Sequence, residues 1–63
     1  MNKYLKYNIK YNKNDKIYYL WKNLFIKNIP VAFKSIFHGN RLECNKYVYE
    51  NKIKLNENIK LPS

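Results

Sequence analysis

The stretch Phe25-Ile26-Lys27-Asn28-Ile29-Pro30-Val31-Ala32-Phe33-Lys34-Ser35-Ile36-Phe37-His38-Gly39 decides how this chain is read. Asn28 is a helix-capping residue type, and Pro30 follows inside the first turn, where its missing N–H costs nothing. Val31, Ala32, Ser35 and Ile36 then supply inward positions. Gly39, the one glycine of the sequence, stands where a helix stops in the left-handed conformation. These residues predict a helix from Asn28 to about Phe37.

Working outward, Asp15 is a good N-cap, and Ile17, Leu20, Trp21 and Leu24 recur at helical spacing. They predict a first helix from about Lys16 to Leu24. Ahead of it, Leu5, Tyr7, Ile9 and Tyr11 alternate with Lys6, Asn8, Lys10 and Asn12, the period of an extended segment with one apolar and one wet face. A helix is the alternative there, because Tyr4, Tyr7 and Tyr11 also share a helix face. Past Gly39, short strands are expected over Arg41–Cys44, Tyr47–Tyr49, Lys52–Leu55 and Ile59–Leu61, with Asn45-Lys46 and Asn56-Glu57-Asn58 as turns. The expected fold is α+β: two short helices packed on a small curled antiparallel sheet, preceded by an extended basic N-terminal arm. Residues 1–14 form the arm and residues 15–61 the domain.

Charge indicates the partner. Thirteen Lys and Arg against four Asp and Glu give +9, distributed along the whole chain, and such a field attracts polyanions. The sequence is too apolar, at 46% hydrophobic residues, for a disordered basic tail. At 63 residues it buries too little surface to be robust alone, and one cysteine with one histidine builds neither a disulfide nor a zinc staple. Stability is therefore expected to come from a partner. No apolar run reaches the length of a membrane span, because Lys22, Lys27 and Lys34 interrupt the longest ones. The opening Met1-Asn2-Lys3-Tyr4-Leu5-Lys6 is read as neither a secretory signal nor a presequence. Abundant Lys, Asn, Ile and Tyr point to an AT-rich genome.

Residues 25–39 resemble the RNA-binding domain of the small-subunit ribosomal protein S-four family. Phe25, Lys27, Asn28, Ala32, Ile36, His38 and Gly39 stand where that family has its aromatic, basic, capping, alanine, hydrophobic and His-Gly positions. The resemblance extends over roughly residues 15 to 61. It implies two helices against a curled sheet, with RNA on the basic face around the second helix. The chain has no length for the family's further helical region, so the resemblance implies a reduced or split organellar (mitochondrial) version, or a stand-alone domain of the same type.

The residues themselves offer RNA contacts on that layout. Lys27 and Asn28 open a helix whose free N–H groups suit a phosphate, with Lys34 beside them. Asn40 and Arg41 leave its far end, and the guanidinium of Arg41 suits bidentate phosphate or guanine contact. Lys22 and Lys46 flank the same face, and His38 either stacks on a base or bonds the last helical carbonyls. Trp21 and Phe25 are read as core, while one or both of Phe33 and Phe37 meets neighbouring protein or RNA. Cys44 is read as a small buried hydrophobe.

The four acids are isolated, and no nucleophile–base pair, phosphate loop or metal spacing is present, so no enzyme activity, cofactor, metal or small-molecule substrate is expected. The expected function is a structural component of a small ribosomal subunit, bound to ribosomal RNA and neighbouring ribosomal proteins. Its expected location is a mitochondrion or other organelle, or the cytoplasmic ribosome of an AT-rich organism. The alternatives are a free-standing RNA-binding module acting on ribosomes and a basic accessory subunit of an organellar membrane complex. The last would use one continuous amphipathic helix over Ile17 to Phe37, which Asn28-Ile29-Pro30 argues against.

Overall fold

The computed structural model describes residues 2–62 and shows a strand-rich chain with one helix. Its elements run β1 (Lys3–Asn12), β2 (Ile17–Ile26), β3 (Ile29–Gly39), α1 (Arg41–Glu50) and β4 (Ile59–Lys60). The sheet is antiparallel, in the order β3-β2-β1-β4. The two expected helices, over residues 16–24 and 28–37, are corrected: residues 17–24 and 29–37 lie on β2 and β3, a single hairpin, and Lys16 and Asn28 are turn residues. The strands expected over Arg41–Cys44 and Tyr47–Tyr49 are corrected in turn, because both fall within α1. Residues 5–12 are extended, but as a strand between β2 and β4 rather than as a protruding arm; Met1 of that arm lies outside the described residues.

Local chemistry accounts for each change. Ile17-Tyr18-Tyr19-Leu20-Trp21 and Leu24-Phe25-Ile26 are largely β-branched and aromatic, the types that fit a pleated surface. Lys27 and Asn28 both have positive φ, 53° and 64°, which makes them the two central residues of a hairpin turn. This left-handed pair matches the right-handed twist of the flanking strands. Asn28 is thus a turn residue and caps no helix. Pro30 is tolerated because β3 is an edge strand. Two register shifts against β2, at Leu20/Trp21 and Leu24/Phe25, make that edge irregular. Such irregularity blunts edge-to-edge pairing. The β1–β2 loop is closed by Lys16, at φ 56°, donating its N–H to the Asn12 carbonyl at 2.8 Å. The Asn12 side-chain oxygen also accepts from the N–H groups of Asn14 and Asp15.

Gly39 is the last residue of β3 and does not adopt positive φ, contrary to the helix-stop expectation. Its role is close approach. Asn40 caps α1 in a reciprocal box: its Oδ1 accepts from the Glu43 N–H at 2.7 Å, and its own N–H donates to Glu43 Oε1 at 2.9 Å. A Cβ at position 39 would lie 2.8 Å from Glu43 Oε1 and 3.2 Å from Glu43 Cβ. The capping box therefore requires glycine before it.

The helix covers one end of one sheet face. Phe37 stacks on Tyr47 with ring centroids 4.4 Å apart, and Cys44 Sγ lies 3.7 Å from the Tyr18 carbonyl. Beneath this seam Leu20 and Cys44 are completely buried; they are the fully enclosed side chains among the described residues. The chain beyond α1 returns along β1, where Leu55 bridges Tyr7 and Ile59-Lys60 pairs with Leu5 and Tyr4. The core is thin, and among the described residues no helix lies on the opposite face of the sheet.

Candidate nucleic-acid interface

Alternation along each strand assigns the two faces. Leu20 and its register partners Ile9 and Phe37 look toward α1. The alternate residues form the open face, in four cross-strand rows: Lys10–Tyr19–His38, Asn8–Trp21–Ser35, Lys6–Asn23–Phe33 and Tyr4–Phe25–Pro30. The first three rows combine an amide or ammonium group from β1 with an aromatic ring further across the sheet.

The rings form a connected surface. Tyr19 lies 6.1 Å from Trp21 and 5.7 Å from His38, and Phe33 meets Trp21 edge-on at 5.6 Å. Tyr4 stacks on Phe25 at 4.9 Å, and its hydroxyl donates to Asn28 Oδ1, which ties this end to the β2–β3 turn. Tyr19 donates its hydroxyl to the Asp15 carboxylate at 2.7 Å, and that bond, aided by some burial and by the charge itself, raises the phenol's pKa. Phe33 is 73% exposed, a large apolar area to leave in water. Lys6, Lys10 and Lys60 stand on strand positions of this face, and Lys27 stands at its turn end.

The residues expected to bind RNA are not gathered on one surface. Lys22 and Lys34 are cross-strand partners on the face that α1 partly covers. Lys27 and Asn28 form the β2–β3 turn, and the helix N-terminus expected there is absent. His38 lies on the open face beside Tyr19. The Asn40 side chain is engaged in capping, Arg41 holds its guanidinium 5.6 Å over the Tyr18 ring, and Lys46 is an exposed residue of α1. Trp21 and Phe25, the rings assigned to core, belong to the open face; of Phe33 and Phe37, expected to meet protein or RNA, Phe33 is exposed on that face and Phe37 packs under α1.

The residues that reading passed over are Lys6, Asn8, Lys10, Tyr19 and Asn23. The wet face of the 5–12 alternation carried the signal for the first three. Cys44 is buried, and burial raises its thiol pKa against a smaller opposing effect from the Arg41 charge. Among the described residues no group of three or more His, Cys, Asp or Glu is placed to hold a metal ion. Among the described residues no helix is long and apolar enough to cross a membrane. No protein-family model, curated protein or solved structure matches the chain.

Proposed function

We propose that this chain is a non-enzymatic RNA-binding protein that receives a single-stranded segment of RNA on the open face of its sheet. The observation that carries the reading is the Tyr19–Trp21–Phe33 ring surface, open to water and lined by Lys6 and Lys10. Aromatic rings on an open sheet stack with unpaired bases, and neighbouring lysines follow the backbone phosphates. Bases locked in a duplex present no face to such rings, so the face suits loops and tails, which RNA supplies.

The small ribosomal subunit is the setting we propose. A chain of +9 in which Leu20 and Cys44 are the fully buried side chains among the described residues gains most from a large ribonucleoprotein that screens its charge and covers its surface. The continuous amphipathic helix that would favour the membrane-subunit alternative is not formed, because residues 17–37 make a hairpin.

Salt titration of RNA binding tests the reading. Three or four phosphates neutralised by Lys6, Lys10, Lys60 and Lys27 give log affinity against log salt a slope of roughly −2 to −3 for a single strand. A slope near zero contradicts it. RNase-sensitive sedimentation of the tagged chain with small ribosomal subunits distinguishes a resident component from a free-standing module.

A further inference from the structure

Between Trp21 and Phe33 the open face has a shallow recess of about 290 Å³, lined by Asn8, Lys10, Trp21, Asn23 and Phe33. Two amides meet at its floor. Asn23 Nδ2 donates to the Lys6 carbonyl at 3.0 Å and to Asn8 Oδ1 at 2.8 Å, which uses both its protons. Asn23 Oδ1 and the Asn8 NH₂ are left, and among the described residues no protein group takes up either one. The recess thus presents one acceptor and one donor beside the Trp21 indole, with the Phe33 ring set at 67° to it.

We infer that this recess selects adenine. The inference rests on the RNA-binding reading above. Adenine offers an amino donor next to a ring-nitrogen acceptor, the complement of Asn23 Oδ1 and the Asn8 NH₂; asparagine amides pair with adenine in this sense. The purine ring covers Trp21 more fully than a pyrimidine does. Guanine presents two acceptors on its N7/O6 edge and offers a donor beside an acceptor only on its Watson–Crick edge, as N1–H beside O6, whereas adenine sets its amino group beside a ring nitrogen on both edges. Cytosine has the amino and ring-nitrogen pair on a smaller ring, and uracil offers its ring N3–H beside a carbonyl oxygen, likewise on a smaller ring. Lys10 at the rim meets the phosphate of the stacked nucleotide. Asn8 and Asn23 act here as specificity-determining residues, and Trp21 supplies affinity.

Trp21 is the one tryptophan of the chain, so its fluorescence reports stacking directly. The full chain is titrated with oligoadenylate, oligocytidylate and oligouridylate of equal length, and with an oligomer carrying purine, which lacks the amino group, in place of adenine. Oligoadenylate is expected to bind about tenfold or more tighter than oligouridylate, with the purine oligomer keeping only the roughly twofold advantage of its larger ring. In Asn8→Ala the adenylate advantage shrinks to about twofold while uridylate affinity is kept. Because the purine oligomer probes the unaltered protein, a folding defect in the variant cannot imitate the result. Equal affinities, oligocytidylate binding as tightly as oligoadenylate, or a preference that survives both changes overturns the adenine assignment and leaves RNA binding standing. Failure of every oligomer to bind overturns both.

Discussion

Trp21→Ala is expected to weaken binding of a short single-stranded RNA by about 5- to 150-fold. The figure follows from roughly 1–3 kcal/mol of stacking per base on an aromatic side chain. Trp21 stands on β2, between β3 and β1, in contact with both Tyr19 and Phe33, so its loss interrupts the ring surface at its centre. Anisotropy of labelled RNA measures the effect, and circular dichroism checks that the variant keeps its fold. Arg41→Ala is the informative contrast. Arg41 begins α1 and lies over Tyr18, on the face away from the rings. Its replacement should cost only the few-fold loss that one distant positive charge brings. A larger loss from Arg41→Ala than from Trp21→Ala places the RNA on the helix side.

Leu20→Ala is expected to unfold the domain. Leu20 is fully buried between its partners Ile9 and Phe37 and is one of two enclosed side chains among the described residues, so little else in the core can take over its packing. Truncating a buried leucine costs about 2–5 kcal/mol. At the usual 0.05–0.15 kcal/mol per residue, a chain of this length has roughly 3–9 kcal/mol in all. Urea denaturation followed by circular dichroism should show the variant largely unfolded or sharply weakened at 25 °C. A loss below about 1 kcal/mol contradicts a core centred on this residue.

The pattern of residues 17–26 shows why the fold was only partly legible. Ile17, Leu20, Trp21 and Leu24 do fall at helical spacing, yet the segment is a strand. A half-buried strand announces itself by alternating apolar and polar residues. Here Tyr18, Leu20, Leu24 and Ile26 serve the helix-side face while Ile17, Tyr19, Trp21 and Phe25 form the open one, so both faces are apolar and the alternation vanishes. The aromatic surface that suits RNA is what hides the strand. β1 kept its alternation because its open-face positions are Lys6, Asn8 and Lys10, whose side chains join the rings rather than duplicate them.

Two other signals were present and outweighed. Asn40-Arg41-Leu42-Glu43 carries an asparagine with a glutamate three residues on, the spacing of a capping box, and it opens the helix. The alternation of Arg41 to Cys44 fitted a strand equally well over so short a run, and Leu42 and Tyr49 are exposed, which blurs any apolar helix face. Lys27-Asn28 reads both as a tight turn and as a lead-in to a capped helix. Pro30 suits either, since an edge strand and a first helical turn both dispense with its N–H. The resemblance to the S-four RNA-binding domain took its layout from the helical reading of these residues. With Phe25 to Gly39 forming the end of β2, a hairpin turn and β3, the RNA contacts it implied around a second helix have no such helix to surround. Overall charge survives the change of fold, because +9 belongs to the composition and not to any arrangement of it.

The most direct test follows amide and indole resonances of the nitrogen-labelled chain while a single-stranded RNA is added. The expected result is a continuous set of shifts on the open face: the Trp21 indole N–H, the side-chain amides of Asn8 and Asn23, and the backbone around Tyr19 and Phe33. Residues of α1 and the Lys22–Lys34 pair should move little. Shifts confined to Arg41–Lys46 and the Lys22–Lys34 pair, with the Trp21 indole unmoved, contradict the account.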